Sequence, residues 1–253
     1  MSAVPPPPAE APAVEVMSTL GLMGVLRDLA PRCEQAVGAK LVTAFAPTAA
    51  LTERIRAGEA ADVAILTADA IDALAREGTL AGGSRIDLAR STVGVAVRAG
   101  APKPDIGTPG AFTRALLDAR SLAYSRAGAS GIFFADLIRR LGIAERVNAK
   151  ATVIPSGLTG ELAARGEVEV AIQQVSELME VPGIDIVGPL PAELDAVTVF
   201  SGALFAASPR KGAGMALLRF LSAPDAAPVY ARKGLEPLGA AEPASRSGRV
   251  ECR

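Results

Sequence analysis

Residues 14–29, VEVMSTLGLMGVLRDL, pass from a short apolar stretch through Ser18 and Thr19 straight into an apolar pattern of helical period. This reads as a β-strand opening onto a helix through a turn of hydroxyl residues. The module recurs at residues 41–55, LVTAFAPTAALTERI, and at residues 122–138, LAYSRAGASGIFFADLI. A helix start leaves backbone N–H groups unpaired and carries the positive end of the helix dipole, so a Ser or Thr there completes a donor-rich cup for an anion.

Working outward, apolar runs of strand length alternate with helical patterns along most of the chain, which predicts βαβ units and a largely parallel sheet. The composition agrees. Of 253 residues, 50% are apolar but only 4% aromatic, which suits Val and Ile strands covered by Ala and Leu helices. Two long runs, within residues 92–98 and 197–205, are expected to be paired hinge strands passing between two lobes. The expected division is a first lobe of residues 14–93 and 200–237 and an inserted second lobe of residues 94–199. These are flanked by a flexible Pro-rich leader, residues 1–13, and a polar tail, residues 238–253.

Several classes of function fall away on composition. No histidine is present, which removes the commonest general base, the Ser-His-Asp triad and every His-containing metal site. No metal and no cofactor are expected, since GxGxxG and Walker A strings are missing and Cys33 and Cys252 are too few for a zinc cluster. Those two cysteines read as unrelated thiols, with one bridge between them as the alternative. Lys and Arg total 26 against 27 Asp and Glu, so nucleic acid is not an expected partner. No apolar run approaches a membrane span, and a soluble monomer is expected. The leader lacks the basic and apolar regions of a secretory signal, so the compartment is cytoplasmic unless a signal has been removed, in which case it is periplasmic.

The stretches PTAALTERIRAGEAADVAILTADAIDALAREG, ARSTVGVAVRAGAPKPDI, ASGIFFADLIRRLGI and ELAARGEVEVAIQQVSEL occur in this order. In them the chain resembles the periplasmic molybdate-binding proteins and the wider type II extracellular solute-binding proteins, including an aconitate isomerase offshoot. The resemblance implies two Rossmann-like α/β lobes joined by a two-strand hinge, with a small anion held at helix starts from both lobes. It also implies a membrane permease as partner.

Carried across position by position, the resemblance puts ligand contacts at Ser18 and Thr19, at Thr48 and Ala49 beside Pro47, at Ser130 and Gly131 after Ala129, and at Leu158 and Thr159 after Gly157. Gln174, or its neighbour Gln173, stands where the molybdate binders carry a Tyr. Arg126, inside the third cup, offers a bidentate fork suited to a carboxylate. The guest is therefore expected to be a di- or tricarboxylate or a molybdate-like oxyanion, captured without chemistry. The alternative is an aconitate isomerase using the same cleft, with Glu161, Tyr124 or a hydroxyl acting through water as its base. Helix capping would account for any one of Ser18, Thr19, Thr48 and Ser130. Four of them at the carboxyl ends of parallel strands point instead to a ligand site.

Overall fold

The computed structural model describes residues 13–238. Its strands in the first half are β1 Ala13–Ser18, β2 Lys40–Phe45, β3 Val63–Thr67, β4 Ile86–Ser91, β5 Val93–Arg98 and β6 Leu122–Ser125. The rest are β7 Ala151–Ile154, β8 Val170–Gln174, β9 Ile184–Pro189, β10 Thr198–Leu204 and β11 Glu236–Pro237. They form two sheets, one ordered β11-β4-β10-β3-β1-β2 and the other β7-β6-β8-β5-β9.

Each sheet is covered by helices on both faces, so each lobe has two apolar layers. In the first, Val14, Val16, Val63 and Phe200 pack under Leu22, Leu26 and Leu217 on one face, while Met17, Ala64 and Leu66 meet Leu51 and Ile71 on the other. In the second, Val95, Tyr124 and Ile172 pack against Phe112 and Phe134, and Ala96, Ala123 and Ala171 against Leu162 and Leu178. This alternation of successive strand residues between faces is why nearly continuous apolar runs read as buried strands.

The crossings between sheets lie at the starts of the two long apolar runs. β4 ends at Ser91 in the first sheet and β5 begins at Val93 in the second, so the chain changes sheet at Thr92. It returns through residues 190–197, between β9 and β10. The stretches 92–98 and 197–205, expected as paired hinge strands passing between lobes, each begin at a crossing, after which β5 lies wholly in one sheet and β10 wholly in the other. Backbone pairing explains the break. The Thr92 carbonyl accepts from Val175 N–H at 3.0 Å, and Val93 N–H donates to Asp195 Oδ1 at 3.3 Å, which draws the chain out of the first sheet at that residue.

Strand register sets the carboxyl edges of both sheets on either side of that crossing. β1 is parallel to β2 and β3, with Ser18 opposite Phe45 and Ile65. In the second sheet β6 is parallel to β7 and β8, and Val93 is opposite Gln174 at the end of β8. Across the divide, Gln174 Nε2 donates to Thr198 Oγ1 at 2.8 Å, and Lys233 Nζ reaches Glu180 at 3.0 Å and Asp28 at 3.4 Å.

Cys33 is a free, buried thiol in the first lobe, where burial pushes it up to about 12. Its suggested partner, Cys252, lies outside the described residues. The leader and tail also lie outside them, apart from Ala13, which opens β1, and Leu238.

Candidate anion cleft

Ser18 closes β1 and Thr19 starts the short 3-10 turn Leu20–Leu22 that leads into the helix Met23–Val37. Thr48 and Ala49 open the helix Thr48–Arg56 just beyond β2, while Ser130 and Gly131 lie in the first turn of the helix Ala129–Arg140 just beyond β6. Leu158 and Thr159 stand at the start of Thr159–Ala164, and Gln174 ends β8. The structure therefore places all four helix starts at the carboxyl edges of their sheets, two in each lobe.

Capping does not explain the hydroxyls. The N-cap positions of the second, third and fourth helices are Pro47, Gly128 and Leu158, and no side chain makes a cap bond there or at Thr19. Thr108, outside the cleft, is the hydroxyl that caps conventionally, accepting from Ala111 N–H at 3.1 Å.

Thr48 Oγ1, Ser125 Oγ, Ser130 Oγ, Gln174 Oε1 and Ser176 Oγ are instead buried without a hydrogen-bond partner among the described residues. A buried group of this kind costs about 1–3 kcal/mol when it has no partner of any sort, which makes each of these oxygens a natural point of contact for a bound molecule. Tyr230 OH is the other unpartnered group, and it belongs to the first-lobe core with Cys33. The first intrahelical bonds, Leu51 N–H to Pro47 O and Ile132 N–H to Gly128 O, leave the preceding N–H groups of Thr48, Ala49, Ser130 and Gly131 free of helical partners.

The cups are not equivalent. Thr19 N–H is used by Ile65 O at 2.8 Å, and Ser18 Oγ turns to Thr19 O at 3.1 Å, so the first cup offers less than its sequence suggests. In the fourth, Gln173 Oε1 accepts from both Thr159 N–H, at 2.7 Å, and Thr159 Oγ1, at 2.9 Å, while its Nε2 donates to Gly157 O at 3.0 Å. Thr159 is thus satisfied internally, against the expectation that its hydroxyl serves a ligand, and Leu158 remains at the turn. Gln173 and Gln174 divide as neighbours on a strand should, one gripping that turn and the other bridging to Thr198.

The structure also places Arg126 and the two side chains offered as alternative bases. Arg126, directly after β6, is exposed, its backbone N–H donates to Ile154 O, and it makes no ion pair among the described residues. Tyr124 OH donates to Asn148 Oδ1 at 2.8 Å, its ring packs on Phe134, and burial raises its ionisation, all of which suit a core residue rather than a base. Glu161 is exposed in the first turn of its helix, 3.8 Å from Arg165.

Sequence reasoning missed Ser125, Ser176 and Glu177. Ser125 is the last residue of the strand before RAGAS, and that position was its only signal. Glu177 stands third in the short helix Val175–Leu178, near enough to the Gln173 side chain and the Gln174 N–H for both to favour its charged form. It is buried without a cation, and desolvation pushes it up to about 7 despite those neighbours.

No group of three His, Cys, Asp or Glu side chains that could hold a metal occurs among the described residues, nor any helix long and apolar enough to cross a membrane. A cavity of about 730 Å³ lies away from the cups, between Pro102, Arg114 and Val170 at the amino end of β8.

A family model described as bacterial extracellular solute-binding protein matches residues 14–236. An aconitate isomerase from Pseudomonas sp. is 41% identical over 231 residues, covering 89% of this chain and 88% of that protein. Among solved structures, the periplasmic molybdate-binding protein of Azotobacter vinelandii superposes with a TM-score of 0.74 at 18% identity, over 88% of this chain and 98% of that one. The sulfate-binding protein of Mycobacterium tuberculosis superposes with a TM-score of 0.71 at 17% identity, over 92% and 88% respectively. The architecture is that of the type II periplasmic binding proteins.

Proposed function

The chain belongs to the bacterial extracellular solute-binding protein family, and on that footing we propose that its cleft takes an aconitate-type tricarboxylate and shifts its double bond from one arm to the other. The observation that carries this reading is the 41% identity to an aconitate isomerase over 89% of the chain, a span that includes both lobes. The cleft is compatible with it. Neutral N–H and hydroxyl donors from two lobes suit carboxylates held at several points, and Arg126 at the rim can meet a carboxylate that projects from the cups.

The reaction needs little machinery. A base takes a proton from the methylene carbon beside a carboxylate, the electron pair spreads over the allyl unit, and the proton returns to the carbon at its other end. Donors at the carboxylates stabilise the negative charge that develops there.

Incubation with cis-aconitate, with the isomers resolved by chromatography, tests the reading. Conversion to the trans isomer is expected, and none at micromolar protein overturns the reading. A thermal-shift series with aconitate, citrate, molybdate, tungstate and sulfate tests the cleft itself. At 100 times its dissociation constant the true ligand adds about 2.7 kcal/mol of stability. Family membership favours one second reading, capture without turnover for a periplasmic permease, and stabilisation by aconitate with no conversion would select it. Arg126→Ala weakens a tricarboxylate by about tenfold, the scale of one charge-assisted hydrogen bond at an exposed site, and leaves a tetrahedral oxyanion unaffected. Equal effects on both ligands, read by calorimetry, would remove Arg126 from the ligand set.

A further inference from the structure

Independently of the isomerase reading, we infer that the cavity at the amino edge of the second sheet is a second ligand site, and that it takes a zwitterionic α-amino acid with a large apolar side chain. The cavity, of about 730 Å³, falls within the range of small-molecule sites, about 300–1,000 Å³. Protein interiors leave few voids larger than a water molecule, so a space of this size against a core face calls for an occupant.

Small residues open the space. The helix Pro109–Asp118 packs Phe112 and Leu116 into the second-lobe core but turns Ala111 and Ala115 to the cavity, with Arg114 and Asp118 on the same stripe. Positions 111, 114, 115 and 118 follow the spacing of one helical face. The other wall holds Val97, near the end of β5, and Val170, at the start of β8, both buried. A void of about 10 Å³ adjoins this floor, with Pro104, Ala115 and Val170 lining both spaces and Ile106, Phe112 and Leu116 behind them. An apolar side chain entering from the mouth therefore meets the core of the second lobe.

The rim is charged, and its charges are incompletely paired. Arg120 pairs with Glu169, and Asp105 accepts from Gly107 N–H at 2.9 Å. Arg98, Arg114 and Asp118 are exposed and make no ion pair among the described residues. Arg114 and Asp118 have the spacing of a helical ion pair, yet the guanidinium turns back towards Gly110, where a Cβ would lie 3.6 Å from its Nη1. Arg98 lies beside Gly166, with its Nη1 3.4 Å from where a Cβ would stand. Arg98, Arg114 and Arg120 balance Asp105, Asp118 and Glu169, so the lining carries no net charge. A zwitterion matches that balance, where a plain acid or a plain amine leaves one charge over. Its carboxylate meets the two free guanidiniums, its ammonium meets Asp118, and its side chain covers Val97 and Val170.

Calorimetry with L-phenylalanine and three analogues tests the site. Among these, 3-phenylpropionate lacks the ammonium, 2-phenylethylamine the carboxylate and glycine the apolar side chain. Phenylalanine is expected to bind at least about tenfold more tightly than each of them, the scale of one charge-assisted hydrogen bond. An analogue that binds as tightly, or phenylalanine that does not bind, overturns the inference. Saturating aconitate should leave phenylalanine affinity unchanged, whereas competition between the two would put the amino acid in the anion cleft and overturn the second site. Arg114→Gln and Asp118→Asn, both exposed, should each weaken phenylalanine by about tenfold, and wild-type affinity in both overturns the placement. Ala115→Leu fills the floor and should abolish binding, so retained affinity there also overturns it. Should Ala115→Leu fail to fold, the two exposed variants decide.

Discussion

Gly131→Ala removes stabilisation by aconitate and lowers the melting temperature of the free protein. A Cβ at this position would lie 1.7 Å from the carbonyl oxygen of Ser125 and 2.6 Å from its carbonyl carbon, both backbone atoms that cannot rotate away. Relief requires the first turn of the helix Ala129–Arg140 to lift from the end of β6, carrying Ser130 and the N–H groups of the third cup with it. Overpacking of this kind costs about 1–3 kcal/mol, and the gain in helix propensity from Gly to Ala offsets about 1 kcal/mol of that. A fall of a few degrees in melting temperature follows for a chain of this size.

The effect on binding is larger, because two or three aligned donors move together. Loss of two charge-assisted hydrogen bonds corresponds to an affinity about 100-fold weaker or more. Gly128→Ala is the contrasting case, since its Cβ would come within 2.4 Å of Ser125 Oγ, a terminal atom that can turn aside. Calorimetry on both variants checks the expectation. Aconitate affinity in Gly131→Ala equal to wild type would remove the third cup from the site.

The second large effect is on stability as a function of pH. Glu177 ionises near 4.5 when unfolded and near 7 when folded, because burial penalises its charged form. The folded protein thus holds more protons than the unfolded chain between those values, so stability falls as pH rises from 4.5 to 7 and levels off above. The contribution lost is about 3 kcal/mol. Asp195, also raised by burial, works in the same direction, whereas surface carboxylates such as Glu59 and Glu77, lowered by bonds to Arg54 and Arg56, work in the opposite one. The clean observable is therefore the difference between wild type and Glu177→Gln in urea unfolding at pH 5 and pH 8. That difference should favour the variant increasingly at the higher pH, and a flat difference would mean that the carboxyl is hydrated.

Much of the fold was legible because burial imposes a period. The Val and Ile runs became β1, β3, β5, β8 and β10, and the amphipathic stretch after Ser18 became the turn Leu20–Leu22 and the helix Met23–Val37. The sequence expected a crossing in this stretch but could not fix its residue, since β4 and β5 are separated by Thr92 alone. What parts them is the bonding of Thr92 and Val93 to Val175 and Asp195, about 80 and 100 residues away. β11, two residues long, carries no periodicity, and only its pairing with β4 makes it a strand.

The candidate site divides in the same way. Strand, turn and helix order by itself determined that hydroxyl-bearing helix starts would stand at the carboxyl ends of parallel strands, because that placement follows from chain direction alone. Which donors remain free was decided by tertiary structure. Thr159 carries the same hydroxyl as Thr48, yet Gln173 occupies the one and nothing among the described residues occupies the other. The burial of charged side chains was hidden for a related reason. A charge has no burial until lobes pack around it, so the sequence drew attention to the guanidinium of Arg126 and gave no sign of Glu177. Packing left the first exposed and buried the second.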